Sequence, residues 1–439
     1  MKVKKILAFI LAAIMIMAVV AGCTPGDNKK NEDTTAATEE GTIGDVGTDP
    51  FYDEDNITLK VWGPDLAKDI LKDQCDAFIA KYPEKNITIE VLPQSESDAG
   101  SKVLADPDTA ADVFGFPSDQ LDMLVNAGVL APVFENENAV ANLSAEVIKS
   151  WNDDNSVEAA TMDGILYAFP ETSDNGYMLF YDKRVVSDEQ AKTLEGIFEA
   201  AKAANRKFIM DAGTGFYSCI FPFTGGLRLE GTVDDVQQFN DYDEDKVVAT
   251  MKAFGTLFRE YSEFFTSVDA AQVISGLEQQ TCAAGIDGVW HAADAVKNLG
   301  ENIGFAKLPT IKVNGTDEQI ISMQGYKFIG VKKASKFPES AQLLAAYLTS
   351  EEAQLARAEK IMWGPSNKVA AASDVVKNSP SINAILEQGK HSVAQISVSQ
   401  TFWEPMGGLG SYLINKEKSL EDADLKKLLS DTIVNIKDE

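Results

Sequence analysis

Short alternating strands separated by amphipathic helices constrain this chain most. Ile57-Thr-Leu-Lys-Val-Trp62 alternates apolar and polar residues, the pattern of a strand. Gly63-Pro64-Asp65 breaks it. Across residues 66–82, apolar side chains fall at 66, 70, 71, 75, 78, 79 and 82, which is one face of a helix. Residues 87–92 alternate again, and 112–116 form a third apolar segment. Ser118 stands where it could cap the next helix, with Asp119 in the first turn, where the helix dipole favours a carboxylate. That helix should end near Gly128. Strand-helix-strand-helix order predicts an α/β class with a parallel sheet wrapped by helices.

The pattern continues. Gly164-Ile-Leu-Tyr-Ala-Phe-Pro170 and Tyr177-Met-Leu-Phe-Tyr181 read as two strands. Residues 194–203 read as a helix and 207–210 as a buried strand. Helices are expected at 247–260 and 270–279, and a strand at 282–286 leads into Gly288-Val-Trp290. A second α/β unit is thus expected over roughly 175–320. Beyond it come a strand at 326–331 and a helix that begins at Pro338, a favoured first helical position. Thr349-Ser-Glu-Glu352 reads as a capping box.

The N-terminus sets the compartment. Lys2, Lys4 and Lys5 precede an apolar run over 6–20, short for a membrane span but the length of a signal core. Val20-Ala21-Gly22-Cys23 resembles the lipobox of secreted lipoproteins, which implies cleavage after residue 22 and acylation of Cys23. The tract over 24–56 holds ten Asp and Glu against two Lys and few apolar residues, so a disordered acidic tether is expected over 23–55. The chain's formal net charge is −29. Such a body repels nucleic acid and anionic surfaces, leaves a neutral ligand unaffected and attracts a cationic one. Roughly 380 residues come after the tether, more than one core supports, and two domains are expected. Cys75, Cys219 and Cys282 form no C-x-x-C pair, and buried thiols are the expectation for Cys75 and Cys282.

Catalytic and metal signatures are sparse. The two histidines, His291 and His391, lack ligand spacing, and there is no G-x-S-x-G or phosphate-cradling loop. Gly407-Gly408-Leu-Gly410 lacks a preceding strand and a Lys and reads as a turn. A glycoside hydrolase would need two carboxyl groups about 5–10 Å apart, and no pair is singled out. Aromatic residues at strand ends and breaks do stand out: Trp62, Phe116, Trp290, Trp363, Trp403, and Phe216 with Tyr217. Singly, each is as readily a core plug. As a set they suggest a crevice beyond the carboxyl ends of strands, where flat rings stack on the C–H faces of sugars and polar groups meet the hydroxyls.

The order and wording of these segments resemble the maltose/maltodextrin-binding proteins, within the extracellular solute-binding proteins of ABC importers. The likeness rests on Ala111-Asp-Val-Phe-Gly-Phe116 with Pro-Ser-Asp119, on Gly164 to Pro170 followed by Tyr177 to Tyr181, on Ile286-Asp-Gly-Val-Trp290, on Leu308-Pro-Thr310 and on Phe402-Trp403. It implies a periplasmic-binding-protein-like fold of two discontinuous lobes with a hinge: 56–172 plus 325–370, and 175–320 plus 371–439. It implies stacking by Trp290 and Trp403, with Phe116 where the family has a tryptophan, and hydroxyl contacts from Asp65, Asp119 and Asp174. Gln120 stands where the family carries an arginine, Trp62 matches its first strand, and Tyr217 or Phe216 its cleft tyrosine. The resemblance further implies a non-catalytic monomer that takes an oligosaccharide, a maltodextrin or related α-glucan, without cofactor or metal. It would deliver this to an ABC permease from the outer face of the cell membrane, anchored through Cys23. The alternatives are an extracellular glycoside hydrolase, or the same fold binding a different sugar or a cationic solute.

Overall fold

The middle of the central sheet is covered on both faces: Val113–Pro117 is buried throughout and Phe169–Asp182 at all but one residue, whereas Thr58–Gly63 and Thr88–Pro93 at one edge stay partly exposed. The computed structural model describes residues 49–233 and 236–437; the signal segment, Cys23 and the rest of 1–48 lie outside them. The first unit runs β1 (Thr58–Gly63), α1 (Lys68–Lys81), β2 (Thr88–Pro93), α2 (Glu96–Ala105) and β3 (Val113–Pro117). β1 lies between β2 and β3, parallel to both, with Val61 beside Val91 and Val113. α1 turns Ile70, Leu71, Cys75 and Phe78 inward, the face its periodicity predicts.

Two long strands run through the middle of the sheet, Phe169–Asp182 and Ser322–Val331. They pair antiparallel with each other. The second also pairs with β3, placing Lys327 beside Pro117 and Phe328 beside Phe116. The first pairs with Cys282–Gly288, which lies beside Lys207–Met210 and then Phe265–Ser267. Phe169 and Phe328 belong to one hydrophobic core with Val61, Phe78 and Leu344; Tyr177, Leu179 and Met323 belong to another with Phe208, Phe254 and Leu425. The same two strands thus feed two cores, one on each side of a hinge. The chain meets the hinge again at Gly364, whose carbonyl accepts from the Ser173 amide (3.1 Å), and at Ser392–Ala394, which pairs parallel with the second crossing strand.

Several local expectations are corrected. The tether was expected to reach 55, yet residues 49–55 pack on the first lobe. Phe51 is buried edge-on against Phe78 and Tyr82, Asp49 pairs with Lys85, and Glu54 accepts from the amides of Glu339 (3.2 Å) and Ser340 (2.9 Å) at the start of helix Pro338–Leu348. One aromatic plug and two placed carboxylates suffice to fix a stretch that composition alone marks as polar. The two strands expected at 164–170 and 177–181 are largely one strand of 14 residues, because it must span both lobes. Ser118 caps nothing: its hydroxyl donates to the Gln395 carbonyl (2.5 Å) and accepts from the Tyr326 amide (3.2 Å). In the capping box, Ser350 rather than Thr349 accepts from the Ala353 amide (3.3 Å).

Gly407-Gly408-Leu-Gly410 is helical, within Trp403–Ile414. A Cβ at Gly407 would lie 2.2 Å from the Gly213 carbonyl oxygen, and one at Gly410 2.1 Å from that of Ala212, so these glycines let the helix rest on the turn beneath it. Cys75, Cys219 and Cys282 are buried free thiols, and burial pushes the first two up to about 12. Among the described residues no helix is long and apolar enough to cross a membrane.

Candidate functional site in the interlobe cleft

A cleft of ≈ 950 Å³ opens between the two cores. Residues just beyond the end of each parallel strand build its first-lobe wall: Asp65 after β1, Gln94 and Ser95 after β2, Asp119 after β3. That is the carboxyl edge of the sheet, where ligands of open α/β folds bind. This wall is polar.

The facing wall is aromatic: Phe216, Tyr217, Trp290 and Trp403. Phe216 lies 6.3 Å from Trp290 and 6.5 Å from Trp403 between ring centroids, and Tyr217 is 5.4 Å from Phe216. Tyr177 in the crossing strand supports the pair from behind, at 5.0 and 4.9 Å. Local chemistry sets each ring. Asp211 accepts from the Gly213 amide (3.1 Å) and the Thr214 hydroxyl (2.7 Å), closing the turn that presents Phe216. The glycine face of helix Trp403–Ile414 brings Trp403 against that turn; a Cβ at Gly215 would lie 2.3 Å from the Trp403 carbonyl oxygen. Trp290 folds back over the end of its strand, since a Cβ at Gly288 would meet the indole at 2.1 Å. Its neighbour His291 is tied through Nδ1 to the buried Asp287 at 2.9 Å.

The floor is the hinge. Gln395 Nε2 donates to Asp119 Oδ1 (2.8 Å), while its Oε1 accepts from Asn175 Nδ2 (3.0 Å). Its backbone amide donates to the Gln324 carbonyl (2.9 Å). Burial pushes the Asp119 carboxyl up to about 7 against the lowering effect of the Gln395 hydrogen bond. Beside it Lys327 makes a buried 2.7 Å ion pair with Glu96.

Of the residues singled out in the sequence, Asp65, Asp119, Gln120, Phe216, Tyr217, Trp290 and Trp403 line this cleft. Gln120 does so with its amide already engaged, accepting from the Gly100 amide (3.0 Å) and donating to the Ser97 carbonyl (2.6 Å). Four lie elsewhere, among them Trp363, which is buried with Ala67 and Ile70. Phe116 is wholly buried, 5.7 Å from Phe114 and 5.8 Å from Phe328; it is a core plug inside β3. Trp62 is half-buried, packs on the first core and borders a separate chamber of ≈ 20 Å³. Asp174 turns inward to accept from the Gly364 amide, and burial pushes it up to about 6. Alternation along the strand gives the cleft position to Asn175 instead. Sequence reasoning missed Glu96, Asn175, Lys327 and Gln395. A lysine within the apolar run 322–331 was the available signal for Lys327.

The sequence profile of a family described as bacterial extracellular solute-binding protein matches residues 73–384. Among solved structures, one described as a complex with acarbose is 30% identical, covers 87% of this chain and 98% of its own, and superposes with a TM-score of 0.76. The maltodextrin-binding protein of L. casei BL23, without ligand, is 24% identical over 87% of this chain and 98% of its own, with a TM-score of 0.71. The Thermus thermophilus maltotriose-binding protein, bound with maltotriose, is 19% identical over 87% and 99%, also at 0.71. Comparison with curated proteins gave no match. The chain belongs to the bacterial extracellular solute-binding protein family. Its fold is the two-lobed α/β fold of the maltodextrin-binding proteins.

Proposed function

We propose that the protein captures an oligosaccharide, a maltodextrin or related α-glucan, in the interlobe cleft and releases it chemically unchanged. The observation that carries this reading is the pairing of an aromatic wall, Phe216, Tyr217, Trp290 and Trp403, with a polar one that includes Asp65 and Asp119. Pyranose rings present both surfaces at once: C–H faces for stacking and hydroxyls for hydrogen bonds. Relatives described with acarbose and maltotriose support the same ligand class. Contacts made to both walls favour the closed arrangement of the lobes. In this reading the closed form, a monomer held at the membrane by acylated Cys23, docks on an ABC permease.

A thermal-shift and calorimetric screen against maltose, maltotriose, maltotetraose, unrelated sugars and polyamines tests it, because a ligand selective for the native state raises Tm. Stabilisation by the glucose oligomers, with no new reducing ends on incubation, is the expected result. Stabilisation by polyamines alone would replace the saccharide with a cation, and release of reducing ends would make the protein a hydrolase.

A further inference from the structure

The pairing of the two crossing strands is irregular at one place: Asn175 faces Gly325, Thr172 faces Lys327 and Pro170 faces Phe328, so Phe169–Asp182 carries two extra residues there while Ser322–Val331 stays in regular register with β3. Lys327 stands opposite this irregularity, and its ammonium-bearing side chain is 7% exposed. It lies 2.7 Å from Glu96 at the start of α2 in the first lobe. It also lies 5.4 Å from the ring centroid of Trp290 in the second lobe and 4.3 Å from that of Trp363, on the segment that returns across the hinge. A cation out of water needs a counter-charge, and aromatic faces supply further attraction.

We infer that Lys327 is a positioning residue that couples the stacking ring Trp290 to the first lobe, so that the geometry of the saccharide cleft depends on one cation held at the hinge. This rests on the reading of the cleft as a saccharide site. Glu96 anchors the ammonium, and the ammonium holds the indole of the opposite wall. A ligand that stacks on Trp290 therefore meets a ring already tied to the other lobe. Lobe opening must pull the cation and the indole apart.

Lys327→Met, Lys327→Arg and Glu96→Gln separate the possibilities, with circular dichroism to establish that each is folded. Small-angle scattering of the ligand-free proteins reads lobe separation without any saccharide. Calorimetry with maltotetraose reads the coupling. Lys327→Met should change the ligand-free radius of gyration and weaken maltotetraose binding about tenfold, and Lys327→Arg should restore most of both, since it keeps a cation that stacks on aromatic faces. Glu96→Gln should move both readouts in the same direction as Lys327→Met. If Lys327→Met folds with wild-type scattering and affinity, the coupling is wrong while the saccharide reading stands. If the wild type binds no saccharide but the ligand-free scattering shifts as stated, the saccharide reading fails and the hinge role of Lys327 is kept. If Lys327→Met does not fold, unchanged scattering and affinity in Glu96→Gln overturn the proposal.

Discussion

Gln395 Nε2 reaches Asp119 Oδ1 across 2.8 Å, and this hydrogen bond joins the hinge to a carboxylate on the cleft wall. Burial holds that carboxyl at about 7 in the folded protein against an ordinary value of 3.8. Between those values the native state binds a proton that the unfolded chain has released. Stability from this site is therefore full below pH 4 and falls as pH rises through about 7. Asp119→Asn should flatten that slope and raise Tm at pH 8 relative to wild type, measured by thermal melts from pH 4 to 9. A parallel slope in both proteins would show that Asp119 does not titrate there.

Two aromatic substitutions should separate binding from folding. Trp403→Ala removes a half-buried ring from the cleft wall and should weaken maltotriose binding about tenfold or more with a small change in Tm. Phe116→Ala should do the reverse: about 3–5 kcal/mol of stability lost to a core cavity, with affinity retained in the folded fraction. Calorimetric titration beside chemical denaturation reads both. Equal effects on affinity would undo the assignment of Phe116 to the core.

A methyl group added at Gly410 tests how the aromatic wall is assembled. It would stand 2.1 Å from the Ala212 carbonyl oxygen and force the helix carrying Trp403 off the turn that presents Phe216. Gly410→Ala should therefore weaken saccharide binding although the residue does not line the cleft. Gly408→Ala, which meets nothing within 4 Å, is the control and should bind normally.

Glu54→Ala should lower stability by about 1–2 kcal/mol, the usual cost of losing a side-chain cap at a helix start. Removal of residues up to 55 also takes away Phe51 and should lower Tm more sharply than Glu54→Ala alone. Denaturation of the three proteins checks this.

The α/β order, most strands and the face of α1 could be read from the sequence because periodicity records which side chains are buried. The family could be read from ordered short motifs around Phe116, Trp290 and Trp403. The site was legible only in part. Strand ends were visible as Gly and Pro breaks, which brought out Asp65 and Trp290, whereas Trp403 came from the Phe402-Trp403 pair and opens a helix. Side-chain direction was not visible: a one-residue difference separates inward Asp174 from Asn175 at the cleft. Nothing local distinguishes the buried ring of Phe116 from an exposed one. The Gln395–Asp119 link spans 276 residues, and the Lys327–Glu96 pair joins a crossing strand to the start of α2. Such contacts exist in the tertiary fold and leave no periodic trace.

The two crossing strands feed both cores, so neither lobe owns a complete sheet. Phe169 and Tyr177 are eight positions apart on one strand, yet they anchor different cores. Loss of one core would strip a neighbouring strand from the other and expose its unpaired backbone groups. Heating should then give a single calorimetric transition whose van't Hoff and calorimetric enthalpies agree, and half-melted species should be scarce. A protein jointed for movement would in this way melt as one body.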